Sequence, residues 1–217
     1  MVMEQVRNTI IYELPLDALH SLAPDIIWKA APTITPGLLP TEVCQIVGNW
    51  YVESSSESRR YRAGQFFTPA IVARYMANLA GTLYNQAYIL DPGAGVGMLA
   101  CAICELAKLQ QLPTLTIVVY ESDPALHALC SFTLHYAHDF LQEPGVDLSI
   151  ELYQQDFLEA MSTQFTSPSL WSNNLRPERP FDLAILNPPY FKVNQADRRA
   201  KIVKDIAFGR TNKTTDS

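Results

Sequence analysis

From residue 64 onward the chain alternates short apolar runs with helix-length amphipathic stretches, and each apolar run ends on a polar residue. AYIL ends at Asp91, LTIVVY at Glu121, DLSIELYQQ at Asp156 and FDLAIL at Asn187. Apolar runs of this length, bounded by turn residues, read as strands buried on both faces. Helical patterns lie between them, over about Pro69–Tyr84, Met98–Gln110 and Pro124–Phe140, the last with Asp123 as its N-cap. Strands and helices in this order form βαβ units, and so an α/β fold with a parallel central sheet covered by helices. The stretch 158–180 contains Pro168, Pro177 and Pro180 and reads as an irregular crossover. Ligands of such sheets sit at the carboxyl ends of the strands. Asp91, Glu121, Asp156 and Asn187 are therefore expected on one rim.

Upstream, residues 1–57 are punctuated by prolines and read as a small helical or irregular extension. Within it TEVCQIVGNWYV reads as a helix capped by Thr41, and SSSESRR at 54–60 as an exposed linker. A larger second domain over 58–217 follows. The 48% hydrophobic and 18% charged content excludes wholesale disorder. No apolar run approaches the ~18 residues that a membrane helix needs, and the N-terminus lacks the pattern of a signal peptide. A cytoplasmic protein without a membrane partner is expected. Cys101 and Cys104, three apart in an apolar helix, read as core thiols, and no second pair or histidine set completes a metal site. The net charge is -6, with basic residues gathered at Arg59, Arg60 and Arg62 and again at Lys192, Arg198, Arg199, Lys201 and Lys204. Charge alone reads these clusters as solvated faces and does not establish nucleic-acid binding.

The run Asp91-Pro92-Gly93-Ala94-Gly95-Val96-Gly97 permits a tight turn that a ligand can approach closely. Its acid repels a pyrophosphate and suits a cationic ligand, which favours S-adenosylmethionine over a dinucleotide without excluding the latter. Glu121 can accept from both hydroxyls of a ribose, while Asp123 fills the role of helix-start acid. Asp156 with Phe157 suits an adenine amino group and ring face, or simply a surface acid beside a core aromatic. Asn187-Pro188-Pro189-Tyr190 is the most specific signal. Two prolines hold the chain extended and remove two backbone donors. The Asn187 side-chain oxygen and the Pro188 carbonyl can then accept from one exocyclic amine, while Tyr190 offers a stacking face.

Taken in order, GQFFTP (64–69), DPGAGVGML, YESDP, QQDF and LNPPYF resemble the DNA adenine-N6 methyltransferases of the gamma motif arrangement, which are common in restriction–modification systems. The resemblance covers roughly residues 60–210. It implies a Rossmann-like class I methyltransferase fold, S-adenosylmethionine as cofactor and no metal. It also implies DNA as partner, with the target adenine flipped out of the duplex. By similarity Thr68 would meet the methionine carboxylate, and Phe66 or Phe67 would line the pocket. Asp91, Gly93 and Gly95 would hold the methionine end, Glu121 the ribose, and Asp156 with Phe157 the adenine. Asn187, Pro188 and Tyr190 would hold the target base. The family continues past NPPY with further strands and a target-recognition region, whereas this chain runs on only to Ser217. An incomplete C-terminal half is expected, completed by a missing segment or by a restriction or specificity subunit. NPPY also occurs in protein-glutamine and RNA methyltransferases, and an inactive cofactor-binding fragment is a further reading.

Overall fold

In the computed structural model residues 12–59, 67–143, 145–166 and 179–188 are described, the last turn of the helix ending at residue 166 by its backbone alone. Four strands form one sheet: β1 (Gln86–Asp91), β2 (Thr114–Tyr120), β3 (Asp147–Tyr153) and β4 (Leu183–Ala184). Their order is β3-β2-β1-β4 and every pairing is parallel. The register sets Asp91 opposite Val119 and Tyr120 opposite Tyr153, so these strand ends lie level. The order reverses at β1, which pairs with β2 on one side and β4 on the other. A reversal of this kind opens a crevice at the strand ends.

Side chains alternate across the sheet, as the two-residue strand period requires. Ala87, Ile89, Leu115, Ile117 and Val119 join the larger core. Tyr88, Leu90, Val118 and Tyr120 form a smaller core on the opposite face. The larger core is covered by α1 (Leu16–Leu22), α2 (Pro40–Ser54), α3 (Ala70–Asn78), α4 (Met98–Leu109) and α5 (Pro124–Leu141). On the smaller face lies α6 (Phe157–Thr166), where Phe157, Ala160 and Met161 pack.

The segment upstream of residue 58 shares the main core. Val43, Cys44, Val47 and Tyr51 of α2 are fully buried in one cluster with Ile103 of α4 and Leu134 of α5. Arg74 of α3 ties the same helices together by donating to Glu105 and to the Thr41 hydroxyl, both at 2.9 Å.

Several local expectations are corrected. Thr41 is not the N-cap of α2: Pro40 already occupies the first helical position, where its fixed φ suits it. The Glu42 carboxylate reaches back to the Leu39 N–H at 2.8 Å instead. α3 ends at Asn78 rather than near Tyr84, because Gly81 turns the chain with φ +69°. Residues 158–180 are not irregular throughout: α6 runs to Thr166, and Pro168, Pro177 and Pro180 all lie beyond its end. The fourth strand pairs only at Leu183–Ala184 rather than along all of FDLAIL. Ser54 and Ser55, read as exposed linker, are buried. All four cysteines are buried and free, Cys101 and Cys104 among them. Among the described residues no helix is long and apolar enough to cross a membrane.

Candidate active site

The strand ends surround a cleft of about 620 Å³. Its walls come from four loops that each follow a strand, together with Phe67 and Thr68 in front of α3. Of the residues singled out in the sequence, Phe67, Thr68, Gly93, Gly95, Glu121, Asp156, Phe157, Asn187 and Pro188 line it. Asp91 lies beneath the floor and is fully buried. Phe66 and Tyr190 fall outside the described residues, as do Arg60, Arg62 and the second basic cluster.

Asp91 ends β1, and one of its carboxylate oxygens accepts from the Gly93 N–H at 3.4 Å. The other, Oδ2, is buried without a hydrogen-bond partner among the described residues. Burial pushes this carboxyl up to about 7; the nearby Glu121 charge adds to the rise, and the Gly93 and Ala100 amides oppose it. A buried acid with an unanswered acceptor favours a cation above it.

The turn over Asp91 is held from the neighbouring strand. Glu121 Oε2 accepts from the Gly95 N–H at 2.8 Å, and Oε1 accepts from the Asp123 N–H at 2.8 Å. Burial raises Glu121 to about 7 against the pull of these amides. Gly95 has φ +59°, and a Cβ there would stand 3.4 Å from the Phe67 ring. Phe67 is in turn backed edge-on by Tyr51 of α2, with ring centroids 5.8 Å apart. The glycine thus answers both a left-handed turn and a close aromatic neighbour.

Asp123 caps α5, its Oδ1 accepting from the Ala125 and Leu126 amides at 2.9 and 3.1 Å. Its other oxygen pairs with Arg59 at 3.0 Å, and Arg59 also reaches Asp25 at 2.5 Å. Asp156 has a structural task as well, for its Oδ1 accepts from the Glu159 N–H at 3.1 Å at the start of α6. Phe157 stands edge-on to Tyr120, with ring centroids 5.3 Å apart. On the opposite wall the Asn187 side-chain nitrogen donates to the Thr68 hydroxyl at 2.9 Å. The first and last of the sequence motifs therefore meet directly.

Sequence reasoning missed three features of this site. Tyr120 lines the cleft and stacks on Tyr153 at 5.0 Å, but as the last residue of an apolar strand it reads as core. Leu186 lines the cleft beside Asn187 and is 46% exposed, although it closes the apolar run FDLAIL. Arg59 was grouped with a solvated basic face, and nothing local announces its two acidic partners.

A parallel α/β sheet, a glycine-rich turn over a buried acid, a second acid after the next strand and an Asn-Pro after the fourth come together at one cleft. The chain belongs to the N-6 DNA methylase family, whose model matches residues 46–215. It is 28% identical over 156 residues to the type II methyltransferase M.PstI of Providencia stuartii, covering 72% of this chain and 29% of that one. It is also 28% identical over 151 residues to the type II methyltransferase M.BsuBI of Bacillus subtilis, covering 69% of this chain and 28% of that one. The chain thus spans less than a third of the length of these curated relatives. A Listeria monocytogenes structure described as a class I S-adenosylmethionine-dependent methyltransferase overlaps with a TM-score of 0.48 at 16% identity, over 76% of this chain and 44% of that one.

Proposed function

We propose that this protein is an S-adenosylmethionine-dependent DNA methyltransferase acting on the N6 amino group of adenine within a restriction–modification system. The observation that carries the reading is the single cleft that Thr68, Gly95, Glu121, Asp156 and Asn187 share at the strand ends. Family membership and the two type II methyltransferase relatives support the same reading. Its partner is DNA, with the target adenine turned out of the stack into the cleft. A restriction or specificity subunit, or a further segment carrying the recognition surface, is the second partner. Residues 58–217 form the methyltransferase domain, with 1–57 as its N-terminal extension.

The donor and acceptor set fits this cofactor. Asp91 Oδ2, buried without a partner among the described residues, suits the methionine ammonium, whose charge would draw the carboxyl back toward its ionised form. Glu121, held by two amides, keeps lone pairs for the ribose hydroxyls. Phe67 and Phe157 supply apolar walls, and the methionine carboxylate is assigned to Thr68. When bound, S-adenosylmethionine supplies a methyl group on a sulfonium. The protein's part is to orient the amine. The Asn187 side-chain oxygen and the Pro188 carbonyl accept from its two N–H groups and free its lone pair for in-line attack. By resemblance, the stack of Tyr190 would exclude water from the reacting atoms.

Titration calorimetry with S-adenosylhomocysteine and with NAD, followed by tritiated-methyl transfer to mixed genomic DNA, tests the reading. Binding of the former by the chain is expected and, with the second partner present, label on adenine and an Asn187→Ala loss of about 100-fold in turnover at nearly constant cofactor affinity. Tighter binding of NAD, or label on protein or RNA rather than DNA, would sink it.

A further inference from the structure

We propose that Thr68 is a positioning residue for Asn187, selecting which end of the Asn187 carboxamide faces the reacting amine. The inference deepens the functional reading above and rests on it. Thr68 is 7% exposed and lines the cleft, and Asn187 donates to its hydroxyl at 2.9 Å across 119 residues of sequence. A carboxamide has a donor end and an acceptor end that differ little in shape. An exocyclic amine presents donors, so only the oxygen end of Asn187 serves it; the flipped amide would set donor against donor. A hydroxyl can meet either end of a carboxamide, so the selection works when the Thr68 proton is engaged elsewhere: only a donor can then meet its lone pair, the Asn187 nitrogen stays at Thr68 and the oxygen faces the other side.

Thr68 can do this without giving up a second task. A hydroxyl carries one proton and two lone pairs. Accepting from Asn187 uses a lone pair and leaves the Thr68 proton for an acceptor such as a carboxylate in the cleft. One side chain thereby links the cofactor half of the site, across β1 and β2, to the base half, which follows β4. Pro69 fixes the backbone beside Thr68 and precedes α3, and the Ala70 N–H is taken by the Gln45 side chain at 3.1 Å. The hydroxyl is therefore presented from an anchored segment.

The test uses the full chain labelled with nitrogen-15, in three variants: Thr68→Val, Thr68→Ser and Asn187→Ala. The last assigns the Asn187 side-chain amide resonances by their disappearance. Thr68→Val keeps the shape and removes the acceptor, and should speed solvent exchange of the Asn187 amide protons by about tenfold. It should lower turnover on DNA by roughly fivefold or more with the KM for DNA little changed, and Thr68→Ser should restore both readouts. A merely structural Thr68 would move melting temperature but not the Asn187 resonances. Unmoved Asn187 resonances in Thr68→Val overturn the proposal. So does a loss of S-adenosylhomocysteine affinity that accounts for all of the loss in turnover, since Thr68 would then serve the cofactor alone. A wild-type chain that neither binds S-adenosylhomocysteine nor transfers methyl overturns the functional reading and the positioning role with it, even where the Asn187 contact persists. A wild-type chain that transfers methyl, with Thr68→Val indistinguishable from it, overturns the positioning role alone.

Discussion

The backbone N–H of Gly95 donates to the carboxylate of Glu121 at 2.8 Å, so an acid at the end of β2 holds the turn that follows β1. The residue assigned to the ribose thus also shapes the loop assigned to the methionine end. Removing it should affect both. Glu121→Ala is expected to weaken S-adenosylhomocysteine binding by ~1–3 kcal/mol, the range for leaving buried hydroxyls without an acceptor. Calorimetry supplies the number, and unchanged affinity would show that Glu121 serves only the turn.

The same carboxylate predicts a proton count. Glu121 is held up to about 7 by burial. Ligand hydroxyls donating to it favour its charged form and pull it down again. Binding near pH 7 should therefore release a fraction of a proton. Calorimetry in two buffers of different ionisation enthalpy measures that fraction, and Glu121→Gln should abolish the part due to this group.

Asp91 predicts how stability changes with pH. Its folded carboxyl is raised to about 7, above the ordinary carboxylate range. The sign follows: the folded state binds the proton more tightly, so this group's contribution is full in acid and is lost as pH rises toward 7. Urea unfolding from about pH 4 to about pH 8 should show the wild type losing on the order of 3 kcal/mol relative to Asp91→Asn. Parallel curves would mean that Asp91 titrates normally.

Two glycines of one turn should respond differently to the same substitution. Gly97 has φ +82°, and a Cβ there would lie 2.9 Å from the Thr133 hydroxyl oxygen and 3.2 Å from the Cys130 sulfur. Gly97→Ala should destabilise the fold by about 2–4 kcal/mol, from left-handed strain and crowding together. A Cβ on Gly93 meets nothing within 4 Å and points to no strain. Gly93→Ala should leave stability within about 0.5 kcal/mol yet weaken cofactor binding, because Gly93 lines the cleft. Unfolding curves and calorimetry on both variants separate the two effects.

Arg59 clasps Asp25 and Asp123 while three-quarters hidden, its side chain 22% exposed. Arg59→Ala should cost about 1–3 kcal/mol, between the values for exposed and buried pairs. Arg59→Lys should recover only part, since one ammonium cannot span both acids as a guanidinium fork does. Urea unfolding decides, and an Arg59→Ala variant as stable as the wild type would reduce the pair to a surface contact.

What the sequence made legible was set by locality. The polar positions Asp91 and Glu121 were readable as strand ends because buried strands leave unbroken apolar runs that stop at polar residues, whereas β4 stops at Ala184, short of Asn187. The Asp123 cap was readable because its partners are two and three residues away. Arg59 was not, because its acidic partners lie 34 and 64 residues away and a run of Ser, Glu and Arg looks solvated. The Thr68–Asn187 contact spans 119 residues and joins two motifs that had been given separate tasks. α6 was hidden by three prolines that all follow it, and the Thr41 cap failed because the adjacent Pro40 starts its helix one residue earlier.

The strands of the sheet differ in how firmly they are fastened. β1 pairs with β2 along its full length, whereas β4 joins β1 through two residues. Cooperative units open in order of what holds them. The Asn187 side should therefore unzip at lower free energy than the Glu121 side, giving a durable platform and a labile jaw. Amide exchange at Ala184 and Ile185 should outpace that at Ile117 and Val118. A ligand bridging the jaw to the platform would slow the first pair far more than the second, so that filling the cleft is itself the last step of folding.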